Sequence, residues 1–308
     1  MASRVLIFGA TGYIGRHIAK ASLNAGHPTF LFVRPGMALS VEKVRLIMSF
    51  KHDGAILLKG SFEDYTSLVD AIKQVDVVIS ALGSDNILDQ LKIIDAIKEV
   101  GSIKRFLPSE YGMDVDHPRL LECPSPGGDI FKDKREVRRA AKKAGIPYTF
   151  VSANCFAGYF LAGLANIGEF MPPSQEVNIY GDGNAKVVWV KEDDVAAYII
   201  RSIEDPRAID STIYIRPPPN ILSQNEVVSI WESLSGITLD KAYIEESKWL
   251  EDTNGVLDTN HKSAMQHFHL LFYLGVCCDF EVKDEFEASH LYPEVNYTSA
   301  RSYLQAFL

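Results

Sequence analysis

The sequence contains few of the residues that several protein classes require. Only 4 of its 308 residues are cysteine, and none of them is spaced as C-x-x-C. Cys277 and Cys278 are adjacent, and adjacent cysteines rarely pair with each other. These features argue against a disulfide framework and against a structural zinc site, and reduced thiols are typical of the cytosol. The sequence therefore predicts a cytoplasmic protein without a bound metal.

The chain also lacks long apolar runs and an excess of positive charge. No apolar stretch approaches the roughly 20 residues that a membrane span needs. The N-terminal residues lead straight into an apolar strand and lack the apolar segment of a signal peptide. The formal net charge is −9, whereas nucleic-acid binding draws on clustered Lys and Arg. We expect neither a membrane nor a nucleic acid as a partner, and a homodimer remains open.

What the sequence does contain is a regular alternation of short apolar strands and amphipathic helices. With 47% hydrophobic and 23% charged residues, the composition is that of a globular protein. The strands are apolar on both faces, as in residues 75–82. Such strands need helices on both sides, so the alternation predicts an α/β fold with a Rossmann-type doubly wound parallel sheet.

The alternation is regular only in the first half of the chain. Residues 1–155 are predicted to form the Rossmann domain, with returning segments at about 186–217. Residues 156–185 and 218–308 are predicted to form a smaller, mostly helical substrate-binding region. Within this region, Ser223 and Glu226 have the spacing of a capping box at the start of a helix.

A glycine-rich turn, Gly9-Ala-Thr-Gly-Tyr-Ile-Gly15, follows the first strand and precedes the first helix. Gly9 permits a tight turn, Gly12 lets the backbone approach a pyrophosphate, and Gly15 allows close helix packing. The helix N-terminus then offers free N–H groups to phosphate. We assign the turn, including Thr11, Tyr13 and Ile14, to a dinucleotide cofactor.

The residue at the end of the second strand distinguishes the two nicotinamide cofactors. An NAD site usually has Asp or Glu there, but this chain has Arg34. Its guanidinium could bind a 2′-phosphate, and Lys43 could add a second cation. The alternative is that Arg34 is only a solvated strand end. The pattern favours NADPH.

The proton-transfer group is not the usual one. Short-chain dehydrogenases commonly carry Tyr-x-x-x-Lys, and none of the 13 tyrosines has Lys four residues later. Lys134 lies on the helix after the fifth strand, where the lysine of that motif would fall, and Ile130 replaces the tyrosine. Burial near a nicotinamide could lower its pKa enough for proton transfer. The alternative is that Lys134 belongs to a solvated basic face.

Other polar and aromatic clusters are weaker signals. His267 and His269 lack the helical spacing and carboxylate support of a metal site, so we interpret this region as a pocket lining. We expect the residues after the sixth strand to line the same pocket, beside the nicotinamide. The acidic run at 192–194 is most simply the first turn of a helix. The expected pocket residues are Asn154 and Phe156 for the cofactor, and Phe156, Tyr159, His267 and Phe272 for the substrate.

Short motifs spread along the chain also point to one family. They are Arg34, Lys134 and residues 9–15, 104–110, 151–160, 181–184 and 291–295. Together they resemble the plant isoflavone-reductase-like family, which includes pinoresinol–lariciresinol, isoflavone and phenylcoumaran benzylic ether reductases. The resemblance runs from near residue 4 to the C-terminus. It implies an atypical short-chain dehydrogenase that uses NADPH, with Lys134 as catalytic lysine and cofactor contact.

The resemblance divides over the subgroup. Residues 83–90 have the shorter length of phenylcoumaran benzylic ether reductases, which eugenol synthases and leucoanthocyanidin reductases share. Residues 41–62 and 217–226 look closer to pinoresinol–lariciresinol reductases. The stretch 118–129 is longer than in the benzylic ether reductases.

The function expected from this resemblance is reductive opening of a benzylic ether in a phenolic lignan or neolignan of the phenylcoumaran type. Lys134 would help to remove the phenol proton, the ring would open to a quinone methide, and hydride would add to the benzylic carbon. The alternatives are activity on a furofuran lignan, an isoflavone, a leucoanthocyanidin or a phenylpropenyl ester. A non-catalytic NADPH-binding regulator would need the glycines and Arg34 but not Lys134.

Overall fold

The computed structural model describes residues 2–35 and 40–308. The strands are β1 (Val5–Phe8), β2 (Thr29–Val33), β3 (Ile56–Lys59), β4 (Val77–Ser80), β5 (Arg105–Leu107), β6 (Thr149–Ser152), β7 (Cys155–Phe156), β8 (Glu176–Tyr180), β9 (Lys186–Val190), β10 (Ser211–Tyr214), β11 (Ile221–Ser223) and β12 (Asp240–Ile244). The α-helices are α1 (Gly15–Asn24), α2 (Val41–His52), α3 (Tyr65–Ile72), α4 (Gln90–Val100), α5 (Pro118–Leu121), α6 (Asp129–Lys143), α7 (Glu192–Ser202), α8 (Gln224–Ser235), α9 (Glu246–Gly255), α10 (Thr259–Phe268), α11 (Ala288–Leu291) and α12 (Ala300–Gln305).

The chain folds into two units, each assembled from several separate segments. The first unit comprises Met1–Glu110, Asp133–Val151 and Ala196–Ile213. The second comprises Tyr111–Lys132, Ser152–Val195 and Tyr214–Leu308. Compared with the boundaries expected from the sequence, the second unit also takes in residues 111–132, which contain the stretch at 118–129. The helices α6 and α7 each begin in the second unit and continue into the first.

The first unit is built on a five-stranded sheet with the order β3-β2-β1-β4-β5. All its strand pairs are parallel. The four side chains of β1 are completely buried, and each fully buried aliphatic or aromatic side chain stabilises the fold by about 1.5–3 kcal/mol. The predicted doubly wound sheet is confirmed. Its order reverses between β1 and β4, and ligands of such sheets bind at the carboxyl ends of the strands at that point.

The later strands of the chain do not all join this sheet. β10 pairs with β6, and Tyr148 bridges Phe106 of β5 in parallel. By contrast, β9, which the sequence analysis placed among the returning segments, pairs with β7 and β11 in the second unit. Strand alternation alone does not reveal which partner a strand selects, because every buried strand has the same apolar pattern.

The second unit combines small sheets with short helices. Besides the three-stranded sheet β11-β9-β7, it contains a parallel pair, β12 with β8. Two π-helical turns, at 157–161 and 269–273, interrupt the usual helical spacing. The predicted capping box is confirmed: Ser223 accepts from the N–H of Glu226, whose carboxylate accepts from the N–H of Ser223 at 2.6 Å. Among the described helices, none combines the length and the apolar character needed to cross a bilayer.

Candidate active site

The glycine-rich turn lies at the carboxyl end of β1, and its shape depends on three positions that lack a side chain. Gly9 has a φ of +78°, and a Cβ there would collide with the carbonyl oxygen of Ala81. A Cβ on Gly15 would collide with the carbonyl of Gly9, and one on Gly12 would lie 3.1 Å from that same oxygen. Only glycine fits these three positions without a shift. At these three positions no side chain covers the backbone, and α1 begins at the last of them, Gly15.

A cavity of about 140 Å³ opens beside this turn. It brings together the turn and both cations that the sequence analysis selected for the cofactor. The predicted residues that line it are Gly9, Thr11, Gly12, Arg34 and Lys43. Tyr13, Ile14 and Gly15 belong to the same turn but do not line this cavity. The arrangement fits a phosphate-bearing dinucleotide, since backbone approach and two cations meet at one edge of the sheet.

An aromatic wall completes this cavity. Phe8, Phe32 and Phe62 line it, and the ring centroids of Phe8 and Phe32 are 4.8 Å apart. The guanidinium carbon of Arg34 lies 5.9 Å from the centroid of the Phe62 ring, within the range of a cation–π contact. Arg34 is exposed, so its charge remains available to a ligand.

Lys134 lies on α6, in the first unit. Its ammonium donates a hydrogen bond of 2.7 Å to the backbone carbonyl of Glu110. Burial lowers the pKa of Lys134 to about 8; the nearby Glu110 carboxylate opposes this shift and Arg138 adds to it. An amine with this pKa exists in both protonation states near neutral pH, as a proton-transfer group requires.

Beneath Lys134, Glu110 and Arg138 form a buried ion pair. Each side chain is less than 5% exposed. Arg138 Nε donates to Glu110 Oε1 at 2.6 Å, and its second nitrogen contacts the other carboxylate oxygen. The guanidinium carbon also lies 4.7 Å from the centroid of the Phe150 ring. Removing either charge would leave the other buried without its partner, which costs about 3–5 kcal/mol.

The basic run on α6 is not one solvated face. Lys132 and Arg139 are exposed, whereas Arg135 and Arg138 are buried and Lys134 is half-buried. Because Lys134 and Arg138 are four residues apart, they lie on the same side of the helix. The structure thus separates Lys134 from its exposed basic neighbours.

The second unit contains the segment that follows β6. Asn154 adopts a left-handed conformation with a φ of +55°. Its side-chain amide donates to the carbonyl of Ile215 at 2.8 Å, and its backbone N–H donates to Gly112 at 3.1 Å. Its side chain therefore secures the backbone of the unit. Phe156 is half-buried and Tyr159 is 44% exposed, so both keep surface for a ligand.

The two segments expected to line one pocket do contact each other. The Phe160 ring lies 5.4 Å from that of Phe268 and 6.4 Å from that of Phe272. Phe272 is only 3% exposed and also packs against Tyr180 and Trp189. It belongs to an aromatic core beneath the segment 154–160.

His267 and His269 have different partners. His267 Nε2 lies 2.9 Å from the carbonyl oxygen of Gly127, and its ring packs on Phe131. His269 Nε2 lies 2.7 Å from a carboxylate oxygen of Glu246 on α9. Across residues 2–35 and 40–308, no group of three or more His, Cys, Asp or Glu side chains is placed to hold a metal ion. The two histidines hold neighbouring segments of the second unit together.

A larger cavity of about 420 Å³ lies elsewhere in the second unit. It is bordered by α9, by the end of α10 with the π-helical turn at 269–273, and by the stretch 119–124. Its lining includes Cys123, Pro124, Leu250, Gln266, Leu270 and Leu274. The sequence analysis did not single out this cavity, because its walls come from three segments that carry no shared motif.

Comparison with known proteins identifies the family. A model of the NmrA-like family matches residues 1–304. The chain belongs to the NmrA-like family. It is 52% identical to bifunctional pinoresinol-lariciresinol reductase 2 of Thuja plicata over 312 residues, covering 99% of each chain. It is 48% identical to an isoflavone reductase homolog of Lupinus albus, again over 99% of both.

Among solved structures, AtPrR2 with NADP+ and (+)pinoresinol matches with a TM-score of 0.97 at 45% identity. The match covers 100% of this chain and 99% of that one. These likenesses confirm the resemblance to the isoflavone-reductase-like proteins that the motifs indicated.

For this member of the NmrA-like family, the sequence analysis missed several residues that shape the site. It included Glu110 only within the motif at 104–110, and it considered the basic residues around Lys134, which include Arg138, only as a solvated face. Their pairing had a signal: Arg138 lies one helical turn after Lys134, and buried charges occur in pairs. No sequence signal marked Phe62 and Asn86. They line the cavity beside Gly9 only because the order of the strands brings their segments next to β1.

Proposed function

We propose that this protein is a pinoresinol–lariciresinol reductase. The general activity, before the substrate is specified, is that of an NADPH-dependent reductase of the pinoresinol–lariciresinol and isoflavone reductase group. The observation that carries the choice of substrate is the 52% identity with a bifunctional pinoresinol-lariciresinol reductase over 99% of both chains. The sequence analysis preferred a phenylcoumaran substrate and gave this activity as its alternative. The comparisons favour the alternative.

The proposal assigns the cofactor to the cavity in the first unit. The bare turn at Gly9 and Gly12 would receive the pyrophosphate, and Arg34 with Lys43 would bind the 2′-phosphate. The bound cofactor supplies the hydride that reduces the substrate. Because no acid follows β2 to bond a ribose hydroxyl, NADPH is preferred over NADH.

The proposal assigns proton transfer to Lys134. Pinoresinol, a furofuran lignan, carries a free phenol para to the benzylic carbon of its ether. Neutral Lys134 removes the phenol proton, and the released electron pair breaks the benzylic C–O bond to give a quinone methide. The departing oxygen takes up a proton from solvent, and hydride addition at the benzylic carbon gives an aromatic phenolate. Protonated Lys134 then returns its proton to this oxygen, which restores the phenol and the neutral amine. The buried Glu110–Arg138 pair holds the carbonyl to which Lys134 donates.

The proposal assigns lignan contact to the second unit. Phe156, Tyr159 and His267 would contact the phenolic rings, while Phe272 acts from below by supporting Phe160. Asn154 holds the backbone of this segment. A homodimer remains a prediction.

NADPH consumption with a panel of substrates tests the proposal. We expect turnover of pinoresinol and lariciresinol, and loss of turnover when both phenols of pinoresinol are O-methylated, because no proton is then available. The phenylcoumaran, isoflavone and coniferyl acetate arms should be much slower. Turnover of the phenylcoumaran alone would reject the proposal.

A second candidate is phenylcoumaran benzylic ether reduction, which the short segment 83–90 favours. Gly83 and Asn86 line the cofactor cavity, and Gln90 is completely buried. Its side-chain oxygen accepts from the N–H of Ser109 at 2.7 Å, which fixes the end of the segment. Binding of NADPH without turnover of any panel member would instead favour the regulator.

A further inference from the structure

The acidic run at the start of α7 does more than begin a helix. Asp193 is exposed and lies 3.2 Å from the ammonium of Lys191. Glu192, by contrast, is only 5% exposed, and Asp194 only 7%. Carboxylates are rarely buried without partners, because desolvation of the charge is costly. The two buried acids therefore need hydrogen-bond donors from other segments of the second unit.

Glu192 reaches the segment that precedes the aromatic core. Its Oε1 accepts a hydrogen bond of 3.0 Å from the backbone N–H of Gly158. Gly158 is the second residue of the π-helical turn at 157–161. The first N–H groups of a helical turn have no partner within it, so an acceptor from another segment determines where the turn begins.

The π-helical turn is short and is followed by strained backbone. It is only five residues long and is closed by the N–H of Ala162 donating to Ala157 at 3.0 Å. The residues that follow it, Leu164 and Ala165, have φ values of +49° and +68°. Non-glycine residues in this region are strained and persist only where the surrounding structure imposes them. π-helical turns are uncommon in proteins, and those that do occur are frequently found at functional sites.

Anchors lie on both sides of the exposed Tyr159 side chain. Before it, the Asn154 side chain donates to Ile215, and β7 pairs with β9 through Phe156 and Val190. After it, Phe160 packs on the aromatic core. The Glu192 contact falls between these anchors, directly beside Tyr159. It thus fixes the part of the segment that keeps surface for a ligand.

We propose that Glu192 is a positioning residue for lignan binding: its buried carboxylate holds the π-helical turn so that Phe156 and Tyr159 meet the phenolic rings. This inference rests on the proposed function, because it assumes that the segment 154–160 receives the lignan. Glu192 acts through the backbone of Gly158 and touches neither substrate nor cofactor in this role.

Substitution of Glu192 with Ala tests the inference. It removes a hydrogen bond to a charged group, so the KM for pinoresinol should rise about tenfold or more, since 1.4 kcal/mol corresponds to a factor of ten. The kcat should change less than about threefold, and the Kd for NADPH should stay within about twofold. Glu192→Gln keeps an acceptor oxygen and should restore most of the wild-type KM. Failure of Gln to restore KM would reject the hydrogen-bond role.

Glu287 provides a matched control for general destabilisation. It is also a buried carboxylate of the second unit, 6% exposed, and accepts a backbone hydrogen bond of 2.9 Å from the N–H of Arg216. Glu287 also accepts from the N–H of His290 at 3.0 Å at the start of α11, so Glu287→Ala should lower the Tm at least as much as Glu192→Ala while leaving the KM for pinoresinol unchanged. Equal increases in KM for both variants would mean that Glu192 is merely structural.

Direct binding separates this inference from the proposed function. Pinoresinol affinity is measured by calorimetry on the NADP+-loaded protein, without turnover. If the wild type neither binds nor reduces pinoresinol, the proposed function and the inference both fail. If the wild type binds and reduces it but Glu192→Ala behaves identically, only the inference fails. If Glu192→Ala does not fold, the same comparison is made with Glu192→Asp, whose shorter side chain should raise KM.

Discussion

The two units of the chain build their candidate sites from different materials. In the first unit, the cofactor cavity lies at a backbone turn, where Gly9 and Gly12 stand at the carboxyl ends of parallel strands, and an aromatic wall completes it. In the second unit, the candidate lignan surface depends on side chains: the Phe160 ring packs on an aromatic core, and the Glu192 carboxylate accepts a hydrogen bond from a π-helical turn. A backbone cradle needs particular residues at fixed spacing, whereas an aromatic core accepts many combinations of similar volume.

This difference predicts which unit tolerates substitution. A Cβ at Gly9 or Gly15 meets backbone that cannot move without disturbing the sheet. Tyr159 and Phe156 lie on a segment whose position is determined by remote contacts, so under the proposed function we expect that substrate preference can change without altering the cofactor cavity. The following predictions test this contrast, from the largest expected effect to the smallest.

Lys134→Ala should cause the largest loss. Removing the proton-transfer group should lower kcat by about 10²–10⁴-fold. NADPH binding should survive, because the turn and Arg34 are unchanged. Stopped-flow turnover and a cofactor binding titration measure the two effects separately.

Lys132→Ala is the control, since Lys132 is exposed and lies on another side of α6. It removes the same charge and should leave kcat within about twofold. Normal turnover by Lys134→Ala would disprove the assigned role.

Arg34→Ala should weaken NADPH binding by about 1.5–3 kcal/mol, the value for a lost charge-assisted hydrogen bond. NADH binding should barely change, because NADH has no 2′-phosphate. Fluorescence titration with both cofactors measures the difference. Equal affinity of the wild type for the two cofactors would contradict the assignment of the cavity.

The pH profile should show the ionisation of Lys134. Burial lowers its pKa to about 8, and the neutral amine is the form that accepts a proton. Below pH 8 the amine is protonated, so kcat/KM should fall about tenfold for each pH unit and should level off above pH 8. The residual rate of Lys134→Ala should lack this limb. A flat wild-type profile from pH 6 to 9 would reject the neutral-amine mechanism.

The sequence was informative wherever local pattern determines structure. Alternating strands, the glycine spacing and the capping box at Ser223 depend on neighbours within about ten residues, and the structure shows all three. The burial of Glu110, the pairing of β9 with β7 and the inward direction of Glu192 depend on residues far away in the chain. Charge and hydrophobic pattern do not encode such partners, which explains why the acidic run looked like an ordinary helix start.

The smallest expected effect concerns the 420 Å³ cavity at α9. Leu250, 41% exposed, lines this cavity, and Leu250→Trp would partly fill it. If lignans bind at the segment 154–160, this change should alter the KM for pinoresinol by less than about twofold, as expected for a surface substitution away from a binding site. Tyr159→Ala should raise the same KM about tenfold, because it removes an exposed aromatic side chain from the proposed contact surface. Steady-state kinetics on the two variants compare the two places directly. A large increase in KM for Leu250→Trp with no change for Tyr159→Ala would show that lignans bind in the cavity. The comparison between the backbone turn of the first unit and the side chains of the second would then concern the walls of this cavity instead of the segment 154–160.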